Sequence, residues 1–383
     1  MNFLKKIIII LILTILFWIF PKNTYAISAQ SAVVIDGASG RVLYEHNSNK
    51  KRGMASTTKI MTALCALEYG DMNKMVTISP TASGIEGSSM YLAKGEKITM
   101  RDLVYGLMLV SGNDAATAIA ENVAGSVENF AELMNKKAAE IGAYNTSFTN
   151  PHGLSDENHY TTALDLAKIT AYAMQNPIFC DIVSTKTKTL PANEGGYART
   201  LINHNKFLSM YEGCIGVKTG FTKATGRCLV SAAEKNDLRL ICVTLGAPDD
   251  WNDHRTLLDS AFSNYSAYKI NSAGDFITAA DIKSGIVPEV ELVACKDIII
   301  PIKQGEESLI KTAIEPFEDL SAPIEKNDIL GVLKVKIGNE PSGEFPLIAK
   351  ESVELKKVIF KSSALSLSSA LKKSFYLWLT CFN

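Results

Sequence analysis

Apolar and polar positions along the chain change period several times, and each change predicts an element. Ser31-Ala-Val-Val-Ile-Asp36 and Arg41-Val-Leu-Tyr-Glu45 flank Gly37-Ala-Ser-Gly40, which predicts a β-hairpin. Ile60, Met61, Leu64, Cys65 and Leu67 then recur at helical spacing as far as Gly70, a C-terminal stop. Leu103, Leu107 and Val110 carry the same period directly into Ser111-Gly112-Asn113. An Ala-rich buried helix over 115–124 and an amphipathic one over 128–141 follow. Asn150-Pro-His-Gly153 predicts a turn-rich loop, and Thr161 or Thr162 caps a helix reaching to Met174. Strand-like segments at 215–219, 228–233 and 238–245 come next, the last two joined by Glu234-Lys-Asn-Asp237. Such short connections make them antiparallel neighbours. A helix over 254–268 closes the unit. Strands first, helices in the middle and strands last predict an α/β sandwich whose sheet collects both ends of this segment.

Past about residue 271 the pattern loses its helical period. Short Val, Ile and Lys runs such as Leu292-Val-Ala294, Ile298-Ile-Ile-Pro-Ile302, 329–335 and Val358-Ile-Phe360 are separated by Gly and Pro, which predicts a small all-β domain over 271–361. Residues 362–383 set Leu367, Leu371, Phe375, Trp378 and Leu379 on one helical face with Lys372 and Lys373 elsewhere. That pattern suits an amphipathic helix lying on a membrane surface, the alternative being a helix packed on the β domain. At the other end Lys5 and Lys6 precede an apolar run over 7–20, and Thr24-Tyr25-Ala26 offers small residues for cleavage. This predicts a secretory signal over 1–26 and an exported protein, the alternative being an uncleaved membrane anchor, for which the run is short of the ~20 residues of a bilayer span.

Composition adds limits. With 383 residues the chain has room for two domains, and a formal net charge of -1 gives no general attraction to nucleic acid. Seven cysteines are scattered, without C-x-x-C spacing, and read mostly as small buried apolar side chains. The five histidines never take a metal-binding spacing; His152 and His159 read as polar residues ordering a loop. Neither metal nor cofactor is expected.

The chemistry lies in three short polar signatures: Ser56-Thr57-Thr58-Lys59, Ser111-Gly112-Asn113 and Lys218-Thr219-Gly220. Each is weak alone. S-x-x-K also occurs at Ser48/Lys51, Ser266/Lys269, Ser308/Lys311 and Ser369/Lys372. Ser56 differs from these in standing at a helix start, with two further elements following in order. A serine hydroxyl needs a base to become a nucleophile, and three helical positions bring Lys59 to nearly the same face. At an ordinary pKa near 10.4 only about one lysine in ~2,500 is neutral at pH 7, so a basic Lys59 requires desolvation or a nearby cation. Lys218 is the candidate cation. Ser111 has a hydroxyl able to relay a proton, and Asn113 an amide able to orient a lysine and a substrate carbonyl. On a strand, Lys218 and Gly220 share a face; a cation, the Thr219 hydroxyl and a bare glycine suit an extended substrate ending in a carboxylate.

These signatures resemble those of the penicillin-recognising serine D-Ala-D-Ala carboxypeptidases, the low-molecular-mass penicillin-binding proteins. Asn150-Pro-His-Gly-Leu154, His159-Tyr-Thr-Thr-Ala163 with Asp165-Leu-Ala167, and Gly216-Val-Lys-Thr-Gly-Phe-Thr222 through Gly226-Arg-Cys-Leu-Val230 are similar to that family's wording. The likeness is strong over 28–268. It implies a penicillin-recognising, β-lactamase-like antiparallel sheet sandwiched with helices over 27–270. It implies that Ser56 is acylated by a peptidoglycan stem peptide, releasing the terminal D-alanine before water deacylates it, and that β-lactams acylate Ser56 stably. Site residues would be Ser56, Lys59, Ser111 and Asn113 for catalysis and Lys218, Thr219, Gly220 and Phe221 for substrate. The oxyanion hole would come from the backbone N–H groups of Ser56 and Phe221, and the enzyme would work at the outer face of the cytoplasmic membrane or in the wall. One departure stands out. Some relatives carry a carboxylate-binding arginine soon after the last strand; here that stretch reads Ala247-Pro-Asp-Asp-Trp-Asn-Asp-His-Arg255. Carboxylate recognition then rests on Lys218 and Thr219, with Arg255 unassigned. Two rivals remain: a class A-like β-lactamase, disfavoured because neither Glu132 nor Glu140 has Asn four positions on, and a non-catalytic β-lactam-sensing or wall-binding protein.

Overall fold

The computed structural model describes residues 27–192 and 198–356. The signal segment, the apolar run at 358–360 and the C-terminal amphipathic segment lie outside the described residues. Strand β1 (Ser31–Asp36) turns back into β2 (Val42–His46), as the hairpin pattern predicts. A 3-10 turn (Ala55–Thr58) leads into α1 (Lys59–Tyr69). The short ladder of β3 (Met75–Thr77) and β4 (Lys97–Thr99), with α2 (Pro80–Ser83) between them, precedes α3 (Met100–Leu109), α4 (Asn113–Ala124) and α5 (Val127–Ile141). Then come α6 (Ala163–Ala173), α7 (Pro177–Ser184), the ladder of β5 (Thr187–Leu190) with β6 (Arg199–Ile202), and α8 (Phe207–Met210). Strands β7 (Cys214–Thr222), β8 (Gly226–Lys235) and β9 (Leu238–Leu245) and helix α9 (Asp250–Asn264) complete this part.

The main sheet runs β2-β1-β9-β8-β7, with β1, β9, β8 and β7 paired antiparallel, so both ends of the segment meet in one sheet. Alternation along β1 sorts its side chains between two layers. Val33 and Ile35 join the larger core with α1, α3, α4 and α6, while Ala32 and Val34 pack with Leu257 and Leu258 of α9. Thr162 caps α6, its hydroxyl accepting from Asp165 N, and Gly70 terminates α1. Helix α9 starts four residues before the predicted 254 and ends at Asn264. Acidic Asp250 and Asp253 favour its first turn, and Tyr265 is already extended; Ser266–Asn271 is strand β10.

The described chain divides into two compact units. One runs to Ile270 and takes in 298–312 and 334–344; the other holds 271–297, 313–333 and 345 onward. Among the described residues past 271 the regular elements are strands, β11 (Phe276–Asp281), β12 (Glu289–Ala294), β13 (Ile298–Ile302), β14 (Ile310–Pro316), β15 (Ile329–Ile337) and β16 (Glu340–Ala349), apart from one 3-10 turn. Five form a sheet of order β11-β12-β16-β15-β14. The described cysteines are free thiols; Cys65, Cys228 and Cys242 are buried, whereas Cys295 is exposed.

Candidate active site

Ser56 sits in the 3-10 turn, half-buried, with Ala55 held at φ 47. The turn is gripped from two sides. On one, Gly220 of β7 lies so close that a Cβ there would meet Ser56 N at 3.0 Å and Thr57 N at 3.1 Å. On the other, Gly153 at φ +89 leaves room for Ala55 O, which a side chain would overrun. The Asn150–Leu154 loop holds that second side: Asn150 Oδ1 accepts from Gly153 N at 2.7 Å, and Pro151 O accepts from Thr62 Oγ1 at 2.6 Å.

Lys59 is fully buried, its Nζ 3.1 Å from Ser56 Oγ. The amine also donates to Asn113 Oδ1 at 2.7 Å and to His152 O at 2.6 Å. A neutral amine has two hydrogens. With both engaged by these acceptors, its lone pair is left for the Ser56 hydroxyl. Burial first, and the Lys218 ammonium second, push Lys59 well below its ordinary value, against an opposing pull from Asp114. Lys218, 1% exposed, is brought down to about 7 by burial, and its Nζ donates to Thr219 O at 3.0 Å.

Asn113 is fixed at both ends of its amide, Nδ2 donating to Glu86 O at 2.7 Å. The adjacent Asp114, which sequence reasoning missed, is buried and ties down the loop above: its carboxylate accepts from Ser89 Oγ at 2.6 Å and Leu92 N at 3.0 Å. Ser111 stands at φ 61 between α3 and α4, and its buried Oγ makes no hydrogen bond among the described residues.

Ser56, Ser111, Thr219, Gly220 and Phe221 line one cleft of about 370 Å³. Lys59, Asn113 and Lys218 are buried and are not among its lining residues. Lys218 is close enough for its charge to lower Lys59. The guanidinium that does line the cleft is Arg227, at the residue paired with Phe221 across β7 and β8. Its Nε and Nη2 donate to Asp250 Oδ1 at 3.0 and 2.7 Å, and it lies 5.6 Å from the centroid of Trp251, both residues also lining the cleft. Asp250 is 2% exposed while the Arg227 side chain keeps 41%. Arg255 is absent from the residues lining this cleft. Sequence spacing after the last strand could not reveal Arg227, which precedes that strand and pairs with Phe221, the residue after Lys-Thr-Gly.

The histidines of the loop behave as ordering groups. His159 bonds Thr58 Oγ1 at 2.8 Å and accepts from Thr149 N at 3.1 Å through Nδ1; burial lowers it to about 4 and His152 to about 3.

Comparison with known proteins identifies the family. The family profile described as D-alanyl-D-alanine carboxypeptidase matches residues 20–249, and that of the penicillin-binding protein 5 C-terminal domain matches 265–355. The chain is 37% identical over 335 residues to the D-alanyl-D-alanine carboxypeptidase DacF of Bacillus subtilis, covering 85% of this chain and 86% of that one. It is 35% identical to DacA of Haemophilus influenzae, with 80% of each chain covered. Among solved structures, penicillin-binding protein 5 of Haemophilus influenzae superposes with a TM-score of 0.68 at 32% identity, covering 87% of this chain and 100% of the other. A mutant of the Streptomyces K15 DD-transpeptidase does so with 0.60 at 34% identity, covering 63% of this chain and 100% of that one. By sequence, fold and the residues gathered around Ser56, the chain belongs to the D-alanyl-D-alanine carboxypeptidases of peptidase family S11, the low-molecular-mass penicillin-binding proteins.

Proposed function

We propose that Ser56 is the nucleophile with which this serine D-Ala-D-Ala carboxypeptidase removes the terminal D-alanine of peptidoglycan stem peptides. The observation that carries the reading is the Lys59 amine, buried, 3.1 Å from Ser56 Oγ, with both hydrogens engaged by Asn113 and His152. Lys59 takes the hydroxyl proton as Ser56 attacks the carbonyl. The N–H groups of Ser56 and Phe221 receive the developing oxyanion, in the role backbone donors play in acyl transfer. Ser111 passes the proton to the departing amine, and water then hydrolyses the ester. Thr219 and the fixed Arg227 guanidinium meet the terminal carboxylate, while Lys218 acts by keeping Lys59 uncharged. β-Lactams enter the same cleft and acylate Ser56.

A substrate in the cell wall fits an exported enzyme with the leader over 1–26 removed and residues 362–383 resting on the membrane surface. The β domain then acts as a spacer. Deleting 362–383 should release the protein into solution, and persistent membrane association would count against that anchor.

The decisive experiment has two arms. After penicillin exposure, mass spectrometry should find the adduct on the peptide containing Ser56, long-lived rather than rapidly turned over. Release of D-alanine from a D-Ala-D-Ala peptide should vanish in Ser56→Ala. A sensor or wall-binding protein would release none from the intact chain, and a β-lactamase would clear the adduct quickly.

A further inference from the structure

The catalytic cleft does not end at Arg227. Phe221 and Arg227 also line a second groove of about 610 Å³ that continues past them. Its other charged residues are Lys51, Arg52 and Lys223, and no acidic side chain lines it. The whole chain carries 39 basic and 40 acidic residues, so this is a local segregation of charge. Part of the groove is formed by Gly226 and Gly246, whose main chains pack closely: a Cβ on Gly226 would lie 3.7 Å from Gly246 Cα.

The cations differ in how they are held. Arg52 is fixed by neutral acceptors, Ser31 Oγ at 2.7 Å and Gln30 O at 3.2 Å, so its bonds offset none of its charge. Lys51 lies 4.4 Å from the centroid of the Tyr160 ring, which also leaves it charged. Arg227 shares its charge with Asp250. Lys51 and Arg52 also border an adjoining hollow lined by Asp156 and Glu157, and the positive stretch ends there.

We propose that this groove is a subsite for a second anionic group on the leaving side of the scissile bond. Its ligand class is a leaving amino acid or peptide that bears a further carboxylate beyond the one meeting Arg227. The assignment rests on the proposed reading in which Ser56 is the nucleophile and Arg227 meets the terminal carboxylate, which places Arg227 on the leaving side.

The test compares kcat/KM of the full chain for acyl-D-Ala-X substrates. X is D-glutamate or its neutral isostere D-glutamine, and, one methylene longer, D-2-aminoadipate or its side-chain amide. At low ionic strength the acidic member of at least one pair should be preferred by about three- to tenfold, the range two exposed charge contacts supply. The preference should fall to near one in about 0.5 M salt, where the screening length is only a few ångströms. It should be lost likewise in the Lys51→Ser/Lys223→Ser variant, with D-alanine release from the ordinary substrate within about twofold of the parent. No preference in either pair at low salt, or a preference that survives both salt and the double variant, overturns the subsite. Failure of the underlying reading looks different: cleavage would then persist in Ser56→Ala.

Discussion

Gly220→Ala is the sharpest perturbation the site offers. The new methyl would stand 3.0 Å from Ser56 N, 3.1 Å from Thr57 N and 3.2 Å from Ala55 Cβ. Carbon contacts of this kind settle near ~3.5–4.0 Å, so β7 and the Ser56 turn must part by about half an ångström. Neither side yields freely: the turn is backed by the Gly153 loop, and β7 is paired along β8. Overpacking of this sort costs on the order of 1–3 kcal/mol in stability, which lowers the melting temperature without abolishing the fold. The larger effect is chemical. The Ser56 and Phe221 N–H groups belong to the two elements being pushed apart, and oxyanion donors act at about 2.7–3.1 Å; losing one costs roughly 10²–10³ in rate. Stopped-flow acylation by a fluorescent penicillin should therefore slow by about 100-fold, with the shape of its pH profile retained because Lys59 is untouched. Gly84→Ala, whose Cβ would meet nothing nearer than 3.6 Å, is the matched control. Acylation within threefold of the parent, in a variant shown to be folded, would refute the oxyanion geometry.

Three further outcomes follow. Lys59 must be uncharged to accept a proton, so acylation rises with pH through its lowered pKa; Lys218, brought to about 7, loses its charge as pH climbs through that value. The rate should rise with pH through the lowered Lys59 value and then level off, and a rate still rising beyond about pH 9 would show an ordinary, solvated lysine as base. Arg227→Gln should lower kcat/KM for peptides with a free terminal carboxylate by about 10- to 100-fold, the worth of a hydrogen bond to a charged group, and leave the amidated peptide unchanged; equal losses on both would make its role structural. Finally, His254 is wholly buried between Ser231 Oγ and Thr244 Oγ1 and lowered by burial to about 3. The unfolded chain binds the proton first, so this group removes about 1.4 kcal/mol of stability per pH unit from ~6.5 downward until its folded value is reached. Urea unfolding midpoints at pH 7, 6 and 5 should fall accordingly, and a smaller slope is expected in His254→Leu.

Local patterns carried a great deal of this protein. The alternation in 31–36, the helical repeat after Ser56 and the turn chemistry around Gly37 and Gly70 act over a few residues, so they can be read in order along the chain. The same holds for the catalytic triplets, because Ser56 and Lys59 are neighbours on one turn and Ser111 and Asn113 on one bend. What a linear reading could not supply was which distant groups close on them. The acceptors that direct the Lys59 lone pair, Asn113 Oδ1 and His152 O, come from positions 54 and 93 residues away. Arg227 reaches the cleft through the register of β7 with β8, and Lys218 comes to act on Lys59 from a strand far along the chain. Burial, which sets the protonation state of every one of these amines, exists only once the layers have come together; the order of residues names the groups, and the packing decides their charge.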